Sequence, residues 1–121
     1  MIQRLFVYGT LQPGHANAHL LEEIGGTWQA ASVVGTLLPE GWGAGQGYPA
    51  LTLDEHGADV QGFVFSSEQL AQHWQKLDEF EGDDYERVLT VARLEGGRTI
   101  DTYVYVLNRG RANRGYESCS C

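Results

Sequence analysis

The sequence is short of basic side chains. Its 121 residues hold 8 lysines and arginines against 16 aspartates and glutamates, a net charge of -8 at pH 7. Nucleic acids and anionic membrane surfaces would repel such a chain, so we expect neither as a partner. A small-molecule substrate is the expected ligand, and the sequence leaves the oligomeric state open.

Cysteine and long apolar runs are also scarce. The two cysteines, Cys119 and Cys121, lie near the C-terminus, where neither can cross-link a core and where a metal site would lack further ligands. No cofactor is therefore predicted. The longest apolar run near the N-terminus, Leu5 to Tyr8, is shorter than a signal-peptide core of roughly 7–15 residues or a membrane span of about 20. We expect a cytoplasmic protein.

The residues that are present predict one folded domain. Hydrophobic side chains make up 42% of the chain, which suffices for a core in a domain of ordinary size. We assign residues 1–108 to this domain. Residues 109–121 are polar, rich in arginine and without periodicity, so they are predicted to form a mobile C-terminal tail whose role is open.

Six β-rich stretches alternate with glycine-containing or polar turns, and they predict six strands. The stretches are residues 2–8, 27–38, 50–53, 59–65, 85–94 and 99–107. Long crossovers, which repeated parallel units need, occur only around two predicted helices. The pattern therefore favours an α+β fold with a mostly antiparallel or mixed sheet.

The first predicted helix covers residues 17–24. The second covers residues 67–81, with Ser66 and Gln69 as a capping box and Gly82 as the C-terminal cap. A third stretch, residues 39–49, holds four glycines and two prolines and is predicted to be a surface loop. Trp42 and Tyr48 in this loop could form a pocket wall or a lid.

The second helix carries the carboxylates of interest. At about 100° per residue, Glu81 falls on the apolar stripe that contains Leu77, whereas Glu79 points to the opposite side and Asp78 lies on the flank. Burial and the negative end of the helix dipole both raise the pKa of such a carboxylate, which suits a general base. Alternatively, the helix frays before Gly82 and Glu81 is an ordinary polar residue in water.

Several segments together resemble a known family. They are Phe6-Val7-Tyr8-Gly9-Thr10-Leu11, the following Gly14, Leu77-Asp78-Glu79-Phe80-Glu81-Gly82, Tyr85-Glu86-Arg87 and Tyr103-Val104-Tyr105. Their order and spacing, over residues 2–107, are similar to the γ-glutamylcyclotransferase family with its AIG2-like branch. This resemblance implies a compact mixed, mostly antiparallel β-barrel of about five to six strands, flanked by two or more short helices.

The resemblance also implies site residues and a reaction. Glu81 matches the catalytic glutamate of the family, and the substrate-binding residues would be Tyr8, Gly9, Thr10, Leu11 and Tyr105. The α-amine of a γ-glutamyl amine or γ-glutamyl peptide would attack its own γ-carbonyl and release 5-oxoproline, with Glu81 as general base and acid. The identity of the leaving amine or amino acid stays open.

Other interpretations compete with this one. A binding module could keep the fold and the γ-glutamyl pocket without turnover, since a fold does not fix its chemistry. An enzyme could instead act on a γ-glutamyl group joined to a protein lysine or a specialised metabolite. Among single residues, Tyr8 and Tyr105 could equally belong to the core, and Arg87 is expected to have a structural role.

Overall fold

The structure, a computed structural model, describes residues 2–9, 11–38, 50–82 and 85–107. Its strands are β1 (Gln3–Val7), β2 (Thr27–Leu38), β3 (Ala50–Leu53), β4 (Ala58–Ser67), β5 (Tyr85–Leu94) and β6 (Thr99–Leu107). Its helices are α1 (His19–Glu22), a 3-10 turn (Leu70–Gln72) and α2 (Trp74–Glu81).

The strands form one mixed sheet that closes on itself. Its order is β3-β2-β4-β1-β6-β5, and pairing between β2 and β5 closes a five-stranded barrel to which β3 adds an extra strand. The β1–β6 pair is parallel, and the other pairs are antiparallel. The fold is therefore the compact, mostly antiparallel mixed barrel with short helices that the sequence predicted.

Closure depends on the long strand β2, which changes partner along one edge. Ala31 and Ser32 pair with β5, whereas the strand pairs with β3 from Gly35 onward. A Cβ atom at Gly35 would lie 2.5 Å from the carbonyl oxygen of Thr52. Only glycine permits this close approach of the two backbones.

Alternate residues of the strands build two apolar layers. The interior cluster fills the barrel, and its buried members are Phe6, Ala31, Val33, Leu51, Val60, Val64, Ala92, Leu94, Val104 and Val106. The helix-side cluster lies between the barrel and the helices, and its buried members are Leu5, Val7, Leu11, Leu21, Phe65, Leu70, Leu77 and Tyr105. The strand period of two explains why neighbours such as Phe6 and Val7 fall in different layers.

The helix predicted over residues 67–81 is shorter than expected, and this part of the prediction is wrong. Strand β4 continues to Ser67, the 3-10 turn follows, and α2 begins at Trp74. The Ser67 hydroxyl donates to the Gly25 carbonyl at 2.6 Å and accepts the Gln69 N–H at 3.0 Å. Because these bonds hold the end of β4, Ser67 begins a turn instead of a helix.

Several sequence predictions fall outside the described residues. They concern the loop at residues 39–49 with Trp42 and Tyr48, and the tail at residues 109–121 with Cys119 and Cys121. Within the four described ranges, no helix is long and apolar enough to cross a membrane.

Candidate functional site

Helix α2 presents the three carboxylates to different surroundings. Glu81 is its last residue and is half-buried, Asp78 is half-buried on the flank, and Glu79 is exposed. Gly82 caps the helix with a φ of 85°, and its N–H donates to the Asp78 carbonyl at 3.0 Å. The helix therefore stays wound up to Glu81, and the alternative in which it frays earlier does not apply.

Two effects make Glu81 a weak acid. Burial is the larger one, and the negative charge of Asp78 adds to it; together they raise the pKa of Glu81 to about 7. The effect of burial was predicted from the sequence, whereas that of the Asp78 charge was not. A carboxyl group with this pKa can both accept and return a proton near neutral pH.

Tyr8 lies at the end of β1 and joins three strands. Its hydroxyl donates to the Tyr105 carbonyl on β6 at 2.6 Å and accepts the Leu51 N–H of β3 at 3.2 Å. Its ring packs against the interior cluster. Burial raises the pKa of Tyr8 well above its usual value, and the charge of Glu81 contributes to this rise. The hydroxyl is therefore neutral and fixed in place.

The turn after β1 is stabilised by the side chain of Gln12, which was not among the residues predicted from the sequence. The Gly9 carbonyl accepts both the main-chain N–H and the side-chain amide of Gln12, each at 3.1 Å. Leu11 is 5% exposed and packs in the helix-side cluster, so a substrate contact from this residue would have to use its main chain. Thr10, the remaining predicted member of the loop, lies outside the described residues.

Tyr105 points its hydroxyl at Asp78. The side chain is 5% exposed, and the hydroxyl donates to one Asp78 oxygen at 2.6 Å. Burial, followed by this hydrogen bond and the charge of Asp78, raises the pKa of Tyr105 far above its usual value. Glu81 again contributes to the rise, so its charge acts on both of the predicted tyrosines, Tyr8 and Tyr105.

Arg87 on β5 completes this arrangement and pairs with Asp78. Its Nε lies 3.0 Å from Oδ1, and its Nη2 lies 3.2 Å from Oδ2. The guanidinium also sits 4.3 Å from the ring centre of Trp74 and 5.1 Å from that of Tyr103. Such cation–π contacts favour a desolvated cation. The structural role expected for Arg87 agrees with these contacts.

Asp78 is therefore held as an anion. Its burial would raise its pKa, but the hydrogen bonds from Arg87 and Tyr105 and the charge of Arg87 together lower it. On its outer side, Asp78 lines an open cleft of about 700 Å³ with Gln75, Glu79, Gly82 and Arg87. The sequence placed Asp78 on the helix flank but gave it no role, although its position three residues before Glu81 was a usable signal.

A metal centre finds no support among the residues that the structure describes. In those ranges, no three histidine, cysteine, aspartate or glutamate side chains are grouped closely enough to hold a metal ion. The described residues bring together a carboxyl group with a raised pKa, the neutral phenols of Tyr8 and Tyr105 and the Arg87–Asp78 salt bridge.

The family comparison covers nearly the whole chain. The family model described as gamma-glutamyl cyclotransferase, AIG2-like, matches residues 5–120. No curated protein matches the chain.

Solved structures share the fold. YkqA from Bacillus subtilis is 27% identical with a TM-score of 0.68, and the match covers 89% of this chain but 36% of YkqA. An AIG2-like protein from Mus musculus is 24% identical with a TM-score of 0.69, over 88% of this chain and 78% of its own. A protein from Arabidopsis thaliana is 25% identical with a TM-score of 0.68, over 90% of this chain and 64% of its own. The chain thus spans about a third of YkqA.

Proposed function

The chain belongs to the gamma-glutamyl cyclotransferase, AIG2-like family, and from that premise we propose that it releases 5-oxoproline from a γ-glutamyl amine or γ-glutamyl peptide. The observation that carries the proposal is Glu81, a half-buried carboxyl group whose pKa is raised to about 7 by burial and by the charge of Asp78. Family membership supports a cyclotransferase, and the side chain supplies the base that this reaction requires.

The first chemical step closes a ring. The substrate α-amine arrives as an ammonium ion, which cannot attack until it loses a proton. The Glu81 carboxylate takes that proton, the freed nitrogen forms a bond to the γ-carbon, and the carbonyl electron pair moves onto oxygen. A base with a pKa close to the working pH is the most effective for such a transfer.

Negative charge then develops on the former carbonyl oxygen and needs hydrogen-bond donors. Main-chain N–H groups of the turn formed by Gly9, Thr10 and Leu11 are suited to this role, because glycine allows a ligand to approach the backbone closely. The same turn could instead hold the α-carboxylate of the substrate. The Gln12 bonds to the Gly9 carbonyl support either role by fixing the turn.

The second step expels the leaving amine. The oxyanion electron pair re-forms the carbonyl, the bond from the γ-carbon to the leaving nitrogen breaks, and Glu81 returns its proton to that nitrogen. The ring nitrogen, which still carries two hydrogens after its attack, then passes one of them through Glu81 to the departing amine, which leaves as an ammonium ion. The products are 5-oxoproline and a free amine or amino acid, and neither water nor a cofactor is consumed. At the end of the cycle, Glu81 is again a carboxylate and can accept a proton from the next substrate.

The protein's further contribution is to hold one substrate conformer. Nucleophile and electrophile belong to the same molecule, so a pocket that fixes the folded conformer lowers the barrier relative to a flexible chain, by several kcal/mol. Tyr8 and Tyr105 are proposed to line this pocket. Their hydroxyls already bind protein atoms, so we expect the Tyr8 ring to contact the substrate, whereas Tyr105, which is 5% exposed like Leu11, would have to use its main chain.

A panel of γ-glutamyl amines and peptides, assayed for 5-oxoproline, tests the proposal. On any active compound, Glu81→Gln should lower turnover by about 10²–10⁴-fold, because the positioned proton acceptor is gone. The matched control is Glu79→Gln, which makes the same change on the exposed side of the same helix and should keep turnover close to wild type. Full turnover in Glu81→Gln would show that the mechanism is wrong.

The panel also separates the competing interpretations. Binding of 5-oxoproline without turnover of any compound, unaffected by Glu81→Gln, would indicate a binding module. Activity confined to γ-glutamyl groups on a protein lysine or a specialised metabolite would define the substrate class. The proposed enzyme is expected in the cytoplasm, and cell fractionation followed by the same assay checks that location.

A further inference from the structure

Asp78 and Glu81 lie three residues apart on α2, and their carboxyl groups have different partners. Residues three apart on a helix have Cβ atoms about 5–6 Å from each other. Asp78 receives hydrogen bonds from Tyr105 at 2.6 Å and from Arg87 at 3.0 and 3.2 Å. Its negative charge acts on Glu81. The anion is therefore fixed at one place beside the proposed base.

The two residues that hold Asp78 come from strands that pair with each other. Arg87 of β5 lies opposite Tyr105 of β6 in the ladder, so the two donors converge on Asp78 from adjacent positions. Trp74, one turn earlier on α2, covers the guanidinium together with Tyr103. A simple surface ion pair has no such support and contributes little to stability.

We propose that Asp78, locked by Arg87 and Tyr105, is a positioning residue that sets the protonation of Glu81 through its charge. The proposal rests on the function proposed above, in which Glu81 is the base. Asp78 touches neither the substrate nor the reacting atoms in this scheme. Arg87 moderates the effect, because it neutralises part of the Asp78 charge that Glu81 experiences.

Removing the charge of Asp78 and removing that of Arg87 should shift the ionisation of Glu81 in opposite directions. Without the anion, Glu81 ionises more easily; without the cation, the Asp78 charge is less neutralised and Glu81 ionises with more difficulty. Other titratable or charged groups also surround Glu81 and stay in place in both variants. Among the described residues, Tyr8 at the end of β1 and Tyr105 of β6 interact with the charge of Glu81, and Tyr85 of β5 interacts with Tyr8.

The experiment follows the Glu81 carboxyl carbon by ¹³C NMR across a pH titration of the free protein, with Glu81→Gln used to assign the resonance. Asp78→Asn should move the Glu81 titration to lower pH by about one unit, and Arg87→Met should move it to higher pH. Methionine keeps an unbranched side chain against Trp74 and Tyr103. Glu79→Gln, which removes the same charge from the exposed side of α2, should leave the titration close to wild type.

The pH profile of kcat/KM on an active substrate is the second measurement, since its acid limb reports the base in the free enzyme. The limb should shift in the same two directions as the NMR titration. A loss of activity at every pH with no shift of either titration, or shifts of the same sign in both variants, would overturn the proposal. Opposite NMR shifts without any turnover would leave the role of Asp78 intact and contradict the proposed function instead.

Discussion

The inside of the barrel and the face beneath α2 are built from alternate residues of the same strands, yet they hold different kinds of side chain. Strand β6 shows this most clearly. Val104 and Val106 enter the interior cluster, whereas Tyr103 and Tyr105 belong to the helix-side cluster. Every buried member of the interior cluster is aliphatic or a phenylalanine. The helix-side cluster is also mostly aliphatic, but it includes aromatic residues that carry a polar group, namely buried Tyr105 and partly buried Trp28, Trp74, Tyr85 and Tyr103.

This difference shows where ionisable chemistry can be placed in a small barrel. The apolar interior cluster offers no partner for a charge, so a carboxyl group within it would be severely destabilising. The helix-side layer also removes water, but there the Tyr105 hydroxyl and the Arg87 guanidinium donate to the Asp78 carboxylate. Tyr8 connects the two layers, because its ring packs against the interior cluster and its hydroxyl bonds to the Tyr105 carbonyl.

The largest expected effect on stability comes from the interior layer. Leu94 on β5 is 8% exposed in the interior cluster, whereas Leu89 on the same strand is 59% exposed. Leu94→Ala should lower the free energy of unfolding by about 2–5 kcal/mol, because a cavity remains in the barrel. Leu89→Ala, the matched control, should change it by no more than about 0.5 kcal/mol.

Urea denaturation of the two leucine variants measures this contrast. Equal losses in both would mean that the barrel interior is not the main source of stability. Leu94→Ala should also keep the wild-type acid limb in the pH profile of kcat/KM, because an interior cavity removes no charge from the helix side.

The next effect concerns the helix-side layer and depends on pH. The pKa of Glu81 is raised in the folded protein from its ordinary value of 4.5 to about 7. The folded state therefore binds this proton more tightly than the unfolded state, and stability falls as pH rises between these two values. At about 1.4 kcal/mol per pKa unit, this loss is up to about 3 kcal/mol. It is fully present above pH 7 and absent below pH 4.5.

Glu81→Gln should remove this pH-dependent loss. The unfolding free energy of the variant relative to wild type is therefore expected to be higher at pH 8 than at pH 4, and urea denaturation at both values measures it. The depressed pKa of Asp78 has the opposite effect: it stabilises the folded protein, and this contribution is fully present above the ordinary pKa of 3.8 and is lost at lower pH. Because both proteins retain Asp78, the contribution cancels from the difference between them. A difference that is the same at both pH values would mean that Glu81 is solvated in the folded protein.

The sequence predicted strands better than helix starts, and the reason is physical. Strands β2, β3, β5 and β6 begin and end where alternation and turn residues indicated. The start of α2 was wrong because Ser66 and Ser67 pair with Thr27 and Gln3 in the sheet. A local capping pattern cannot reveal that competing long-range pairing.

In the site, too, local geometry was predictable from the sequence and long-range contacts were not. Helical geometry was enough to separate Glu81 from Glu79, because both lie on one continuous helix. The spacing of Asp78 and Glu81 was visible in the sequence, but the hydrogen bond from Tyr105 to Asp78 was not, since these two residues are 27 positions apart in the chain. Only the folded barrel brings these two residues together.

The smallest expected effect tests the residue that joins the two layers. Tyr8→Phe removes a hydroxyl that donates to the Tyr105 carbonyl and accepts the Leu51 N–H. Two main-chain groups lose a partner, so the free energy of unfolding should fall by about 1–2 kcal/mol. The phenylalanine ring keeps the packing against the interior cluster, so the loss should stay below that of Leu94→Ala in the same urea assay. An unchanged stability would mean that the hydroxyl does not hold β3 to the barrel, and a raised KM would then point to direct substrate contact.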